Sequence, residues 1–541
     1  MMGGNWLGSQ VHFEQWVIPF WHATYTEPLM VKRAGGSLLL SIQINRDAQQ
    51  PVSTQLCIAL RDMILAGGFL AGERLPASRT LARDLGLSRT TVIEVFDRLG
   101  AEGLLESRTG AGTFVSAVLN VSRPRPPQPD APSLVHTAPR LSGMMAQAVS
   151  RFGDRKRLPH MPRAFTTALP AFDVFPMAQW ARLSAKYLRG ARDDIMGYGD
   201  PDGAPQLRRA LASHLRVNRG ITCDAEQIFI VGGAQQAFHL IGSTLLNPGE
   251  NVWFENPGAI GARNSLIACG ANLVPVPVDN EGLRVDEALR LSPQFRLAFV
   301  TPSHQQPMGC VMSLERRFAL LHAAERAGAW VIEDDYDGEF FFSGRPPPTL
   351  KSVDTNGQVI YVGTFSKSLF PALRLGYMLV PPALVDTFGT IMRKFLPGVP
   401  SHTQAMVAEF INEGHFASHV RRMRLIYQER HDALLTASHQ RLDGLLKVQP
   451  SHSGLHAVAL LPATVSEMAV SRDADQRQVT ASPIGRFALA PVAVNGLVLG
   501  FGGVSPKLIT AGVEVLAQVL EARLSPATAR QARARACLRG L

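Results

Sequence analysis

The sequence predicts a multidomain protein: a small three-helix unit closed by a hairpin, then a large α/β domain on a largely parallel sheet. Three observations predict it. Residues 36–117 show short helical apolar periods that end in a glycine-punctuated hairpin. Residues 118–165 gather eight prolines and a basic excess, the composition of a semi-rigid linker. From about Phe165, short apolar strands alternate with helical segments, which argues for parallel pairing with ligands at the carboxyl ends of the strands. At 541 residues the chain has room for two or more domains.

Composition narrows the classes. Hydrophobic residues are 46% and charged residues 18%, ordinary for a soluble protein with a large core. No apolar run is long enough to span a bilayer. The first thirty residues lack the basic start of a signal peptide, and Gln10, His12, Glu14 and Gln15 interrupt their apolar residues. The five scattered cysteines form no CxxC and no metal-type cluster, so they read as reduced thiols in a cytoplasmic protein with no metal site. The net charge of +10 sits wholly in 118–165 and 521–541. Such segments attract polyanions without sequence preference, although for the tail plain solvation suffices.

The domains therefore run as an N-terminal extension (1–35), a helical unit (36–117), a Pro-rich basic linker (118–165), the α/β domain (166–525) and a basic tail (526–541). Residues 1–35 hold three of the six tryptophans without a clean period. They read either as a docking segment or as an upstream extension ahead of Met30.

In the helical unit, Leu56, Leu60, Met63 and Ile64 share one helical face, and Gly67-Gly68 stop that helix. Ser78 is the expected N-cap of a second helix with Leu81, Ala82 and Leu85 inward, ended by Gly86. Ser88 caps a third, in which Val92, Val95, Phe96 and Leu99 pack and Arg89, Thr90 and Thr91 stay exposed in the first turn. "LLESRTGAGTFV" closes the unit as a hairpin turning at Gly110 and Gly112. This is a winged helix-turn-helix, whose third helix enters the major groove by its N-terminus. Arg89 suits guanine or phosphate, the threonines a phosphate or thymine methyl, and Arg79 and Arg108 backbone phosphates. A helical protein-interaction module would share the same pattern.

In the α/β domain, Ile228–Val231, Leu297–Val300, Trp330–Ile332 and Val359–Val362 are the strand expectations, with a helix from Ala234. Lysine is scarce, 8 of 54 basic residues, yet Lys367 follows one of these buried strands. Desolvation lowers an amine's pKa and makes it nucleophilic, the state that condenses with an aldehyde. Pyridoxal phosphate needs such a lysine, a carboxylate on its pyridinium nitrogen and donors for its phosphate. Asp334 and Tyr336, two apart, point the same way if extended. Gly233, Ala234 and Gln235 run from strand to helix N-terminus, where backbone N–H groups suit an anion. Thr364, Ser366 and Arg374 are near Lys367 in sequence, and Arg374 supplies charge. Each piece is common alone; a lone lysine is usually solvated and an acidic run is usually a surface turn.

Two resemblances sharpen both readings. "ERLPASRTLARDLGLSRTTVIEVFDRLGAEGLLESRTGAGTFV" closely resembles the GntR-type winged-helix domain of bacterial transcription regulators. That resemblance implies that Arg79, Arg89 and the Gly112 wing tip lie at DNA; Ser88, Thr90, Thr91 and Arg108 belong to the DNA face expected from the helix-turn-helix pattern itself. "YGDPDGAPQLRRAL", "GGAQQA", "ENPG", "TPSHQQPMG", "EDDYDGEF" and "GTFSKSLFPALRLGY" look like a fold-type I aminotransferase. This implies Lys367 as the Schiff-base lysine, Asp334 on the pyridinium nitrogen, Tyr336 near the phenolic oxygen, and Arg374 and Ser366 on the phosphate. It also implies that Tyr198 reaches a neighbouring subunit's site, which requires a homodimer. The joined domains resemble the MocR subfamily of GntR regulators.

Two positions depart from the aminotransferase pattern. Ala259 stands where an aromatic residue often stacks on the cofactor, and Asn495 where an arginine often clamps the substrate carboxylate; asparagine makes no bidentate ion pair. The leading expectation is a regulator that binds a double-stranded DNA operator and senses a small amine or amino acid by external aldimine formation at Lys367's cofactor. Such a regulator can retain a residual transaminase half-reaction; the alternative is a working aminotransferase with an accessory DNA-binding domain, which stoichiometric transamination at useful rates would promote. A third reading is a DNA-binding protein with a cofactor-free dimerisation body.

Overall fold

The computed structural model describes residues 42–117, 141–154, 161–189, 193–342 and 346–523. The extension 1–35, the tail 526–541 and the greater part of the linker lie outside the described residues. The chain divides into two compact units, Met1–Ala138 and Pro139–Leu541.

In the first unit, helices Val52–Leu65, Ser78–Asp84 and Arg89–Ala101 precede strands β1 (Leu105–Arg108) and β2 (Gly112–Val115). The strands pair antiparallel, with Leu105 opposite Val115 and Arg108 opposite Gly112. Leu56, Leu60, Leu81, Val92, Leu99 and Val115 are almost fully buried in one core. Each such side chain contributes roughly 1.5–3 kcal/mol of burial. Ser88 caps the third helix, its Oγ accepting the Thr91 N–H at 3.0 Å. The second helix differs from expectation: Ala77 is its N-cap, because its carbonyl already accepts from Thr80 and Leu81, and Ser78 is the first helical residue.

The second unit begins earlier than composition suggests. Between the prolines, helix Gly143–Arg151 is capped by Ser142. Ala148 is buried in the unit's core, and Gly153 exchanges two hydrogen bonds with Asn264, at 2.8 and 2.9 Å.

Eight strands form the main sheet: β3 (Ile228–Val231), β4 (Asn251–Asn256), β5 (Asn272–Asp279), β6 (Gly282–Leu283), β7 (Leu297–Val300), β8 (Trp330–Asp334), β9 (Val359–Thr364) and β10 (Gly376–Leu379). Their spatial order is β3-β10-β9-β8-β7-β4-β5-β6. The centre, from β5 through β4, β7 and β8 to β9, is parallel. The sheet is mixed because β10 runs antiparallel to both β9 and β3, and β6 to β5. Too few residues join β9 to β10 for a crossover helix, so the chain returns antiparallel. Alternation sorts the side chains into two layers: Val252, Phe254, Leu297 and Phe299 enter one core, Trp253, Ala298 and Val300 another. A second, antiparallel sheet has the order β11-β12-β14-β13, with β11 Lys447–Val448, β12 His456–Leu460, β13 Ser482–Pro483 and β14 Gly496–Gly500.

Candidate cofactor site and nucleic-acid interface

Strands β8 and β9 lie side by side, Asp334 opposite Val362, so their carboxyl ends bring two sequence-distant segments together. At the end of β9, Thr364 Oγ1 accepts the Ser366 N–H at 3.2 Å and caps the short helix Phe365–Ser368. Lys367 rides on that turn, partly buried, and its Nζ donates to the Ala168 carbonyl at 2.8 Å. Ala168 has φ +66°, a region that residues with a Cβ seldom occupy.

Asp334 closes β8. It is buried, and its Oδ1 has no hydrogen-bond partner. Burial first, then Asp335 and Asp337, push its carboxyl well above the usual range, while Lys367 acts in the opposite direction. The strand stops at Asp334, so Tyr336 stands on a bend, and the two-residue period that paired them in sequence does not extend to it. The Tyr336 hydroxyl lies 3.1 Å from His304 Nδ1, which bonds Asp337 Oδ2 at 2.9 Å. Burial, then Asp337 and Asp334, push the Tyr336 phenol up, so it stays protonated.

Beside these strand ends, Gly233 (φ +97°) is the N-cap of helix Ala234–Leu245. The N–H groups of that first turn, at Ala234 and Gln235, have no carbonyl of their own helix to reach. A Cβ on Gly376 would stand 3.0 Å from the Gly233 Cα, so β10 and this turn meet backbone to backbone. Arg374 is exposed, and its backbone borders Gly232.

Lys367 and Tyr336 line a common cavity with Gln306, Asp337, His456 and Val498. Tyr198 is 89% exposed and Asn495 lies outside this lining; neither joins Lys367 within its own chain. Asn495 Nδ2 donates to the carbonyls of Pro462 and Val465, both at 2.9 Å, so the amide pins a turn. Ala259 is buried at the N-cap of helix Ile260–Ala268. Sequence reasoning missed Ala168, Gln306, Asp337, His456 and Val498. The acidic run after β8 was the available signal for Asp337; the others come from segments with no local cue. Behind the site, Asp335 accepts from Tyr361 and pairs with Arg219, both at 2.5 Å.

These residues fit pyridoxal phosphate. A buried carboxylate oxygen without a partner awaits a cationic N–H, a lysine amine stands on the neighbouring strand end, and a glycine cradle at a helix N-terminus suits a phosphate. His304, Asp337 and His456 present ligand-type atoms within 4.8 Å of one another. Hydrogen bonding engages them instead: His456 Nε2 bonds the Pro307 carbonyl at 3.1 Å, and His304 bonds Asp337.

In the first unit, Arg79, Ser88, Arg89 and Thr90 are exposed around the start of the third helix. The Ser88 and Thr91 hydroxyls lie 2.8 Å apart, so capping engages both. Arg108 lies over the Phe114 ring, 4.6 Å from its centroid. Gly112 has φ +109°, and a Cβ there would stand 2.9 Å from Arg74 Nε. Arg74 is thus a further exposed cation at the wing, absent from the sequence reading.

Comparison with known proteins agrees with both halves. The signature of "Bacterial regulatory proteins, gntR family" matches residues 53–115, and that of "Aminotransferase class I and II" residues 170–497. The "Probable rhizopine catabolism regulatory protein MocR" of Rhizobium meliloti is 39% identical over 87% of this chain and 94% of its own length. The "HTH-type pyridoxine biosynthesis transcriptional regulator PdxR" of Corynebacterium glutamicum is 29% identical over 86% and 94%. Among solved structures, an archaeal alanine:glyoxylate aminotransferase superposes with a TM-score of 0.63 at 26% identity, covering 68% of this chain and 92% of that one. LysN, the α-aminoadipate aminotransferase of Thermus thermophilus, complexed with N-(5'-phosphopyridoxyl)-L-leucine, gives 0.62 at 26% identity, covering 70% and 95%.

Fold and site define a class: DNA-binding transcription regulators in which a GntR winged helix is fused to a fold-type I aminotransferase domain with pyridoxal phosphate as cofactor. Within that class, the chain belongs to the MocR subfamily of GntR regulators. Among the described residues no helix is long and apolar enough to cross a membrane.

Proposed function

We propose that the second unit is a sensor for a small amine or amino acid, and that ligand binding at Lys367 changes the affinity of the winged helix for its operator in the cytoplasm. The observation that carries this is the buried, unpartnered Asp334 Oδ1 beside Lys367. An uncompensated carboxylate in a protein interior is expensive, so it is kept where a bound group completes it.

When bound, pyridoxal phosphate supplies an aldehyde that condenses reversibly with primary amines. The chain's own residues have these roles. Lys367 brings the amine, oriented by the Ala168 carbonyl. Asp334, whose carboxyl is pushed up by burial while the site is empty, would be ionised by a cationic ring N–H. Tyr336, protonated, donates toward the ring's phenolic oxygen. Gly233, Ala234 and Gln235 would offer backbone N–H groups to the phosphate, and Thr364, Ser366 and Arg374 would be its side-chain partners. Arg79, Ser88, Arg89, Thr90, Thr91, Arg108 and Gly112 form the DNA face. Tyr198, 89% exposed, is available to a second copy of the chain, which supports a homodimer in which the partner subunit's Tyr198 completes each site. Two winged helices then read paired half-sites.

A ligand switches the protein only by binding its two states unequally. The test is operator titration, using a duplex selected by the protein from a random library, with and without an amine that alters the cofactor's visible band. An affinity change that Lys367→Ala abolishes supports the reading; an amine that alters the band but leaves operator affinity unchanged overturns it. The intact Lys367, Asp334 and Tyr336 set also favours a second reading, a working aminotransferase. Sustained turnover of an amine with a keto acid would promote that alternative.

A further inference from the structure

The walls of the Lys367 cavity bear on which amines it admits, a selectivity that rests on the proposed sensing role. Lys367 is the one ammonium or guanidinium group among the described residues that line the cavity. The lining includes apolar Leu455, Phe487 and Val498 and polar Gln306, Asp337 and His456.

These polar residues offer no second cation. His456 Nε2 faces the Pro307 carbonyl at 3.1 Å, so that nitrogen carries the proton and Nδ1 holds a lone pair. Burial, then His304, pulls the His456 imidazole down to about 3, which keeps the ring neutral. Asp337 faces the cavity and is bonded to His304, and Asp334 adds a second carboxyl near Lys367.

Among the described residues, the buried arginines of the unit have partners outside the cavity lining. Arg219 pairs with Asp335 at 2.5 Å, Arg430 grips Asp173 with a contact of 2.7 Å, and Arg317 donates to the carbonyls of Pro302 and Met312. Arg263, at the edge of the Phe487 segment, donates to the Ala488 and Arg151 carbonyls.

An α-amino acid carries its carboxylate on the same carbon as its amine. Bringing that amine to Lys367 therefore buries the carboxylate against a wall that, among the described residues, has no guanidinium and already holds the Asp337 carboxyl. A buried anion without a partner is strongly disfavoured. Val498 sits on β14, the strand that Asn495 precedes, so the question raised in sequence by Asn495 is decided at a different residue. We infer that the Lys367 cavity selects primary amines that lack a carboxylate and discriminates against α-amino acids, with Val498 and Phe487 as specificity-determining residues.

The test uses the full chain loaded with pyridoxal phosphate and titrated with matched pairs: isopentylamine against leucine, 2-phenylethylamine against phenylalanine, and putrescine against ornithine. The readout is the change in the cofactor's visible band. Each amine is expected to half-saturate at a concentration on the order of 100-fold below its amino acid. Amino acids that match or outdo their amines overturn the inference and leave the sensing role standing. A band that no compound alters overturns the sensing role and the inference with it. In Val498→Arg, or in Phe487→Arg should the first variant not fold, the preference should swing toward the amino acid. A folded, band-carrying variant of either kind with unchanged preference removes that residue from the specificity wall.

Discussion

The two units solve opposite electrostatic problems. In the first, functional side chains are exposed: Arg79, Arg89 and Arg108 point to solvent around a small apolar core. In the second, Asp334 and Asp337 are buried; His304 bonds Asp337, while Asp334 Oδ1 has no hydrogen-bond partner. A surface that binds a polyanion needs cations held loosely and in register, and water covers their cost until DNA arrives. A cofactor site must exclude water, so its charges are balanced by protein groups or left for the ligand to complete. Exposed Arg79 and Arg89 can therefore be lost with little effect on folding, whereas the buried groups of the second unit set cofactor affinity.

The sharpest test of that contrast is Lys367→Ala. It should abolish the visible cofactor band completely while far-ultraviolet circular dichroism and the apoprotein's DNA binding stay as in the parent; a retained band, or an adduct still trapped by borohydride reduction, would break the assignment. Next, Asp334→Ala should weaken cofactor affinity by about 2–4 kcal/mol, on the order of 100-fold, measured by equilibrium dialysis. The apoprotein's far-ultraviolet circular dichroism should stay as in the parent, because the buried Oδ1 has no hydrogen bond to lose. Arg89→Ala, on the exposed face, should weaken operator binding by about 1–3 kcal/mol and leave cofactor uptake unaltered; unchanged DNA affinity would move the reading surface elsewhere.

Smaller again is the pH response. Burial raises the Glu255 and Glu333 carboxyls to about 7. Their ordinary value is about 4.3, so between that pH and about 7 the unfolded chain releases protons that the fold retains. Stability conferred by the protonated forms is present at low pH and is lost as pH rises through that window. Buried His419 and His456, pulled down to about 4 and 3, act in the opposite direction over the same window, so the glutamate share is read as a difference by calorimetry on the apoprotein: relative to Glu255→Gln, the parent's second unit should lose stability from pH 5 to pH 7. The smallest effect is Ser88→Ala, which removes one N-cap and should lower the stability of the first unit by about 1 kcal/mol.

Much was legible in the sequence, for identifiable reasons. Ile228–Val231 and Leu297–Val300 are strands at the residues the sequence predicts, because a strand buried on both faces is a continuous apolar run between turn signals. The winged helix was legible because its three helices and hairpin are all local patterns. The helix Gly143–Arg151 was not, because surrounding prolines dominate the composition of its region. Asn495 was drawn toward the ligand by counting back from Gly500; its amide is bonded to two carbonyls that no local pattern could reveal.

By itself the sequence determined the domain order, the strand and helix periods, the reading helix with its Ser88 cap, and the residue types needed for a lysine-anchored cofactor. All of these depend on contacts within a few residues along the chain. Tertiary structure alone decided that Ala168 would hold Lys367 and that Gly376 would meet Gly233. It also decided that Asp334 would be stranded without a partner and that Val498 would face the cavity. Such relations join segments that are remote in sequence, and they exist only because parallel β8 and β9, with antiparallel β10 returning beside them, bring those segments to one end of the sheet.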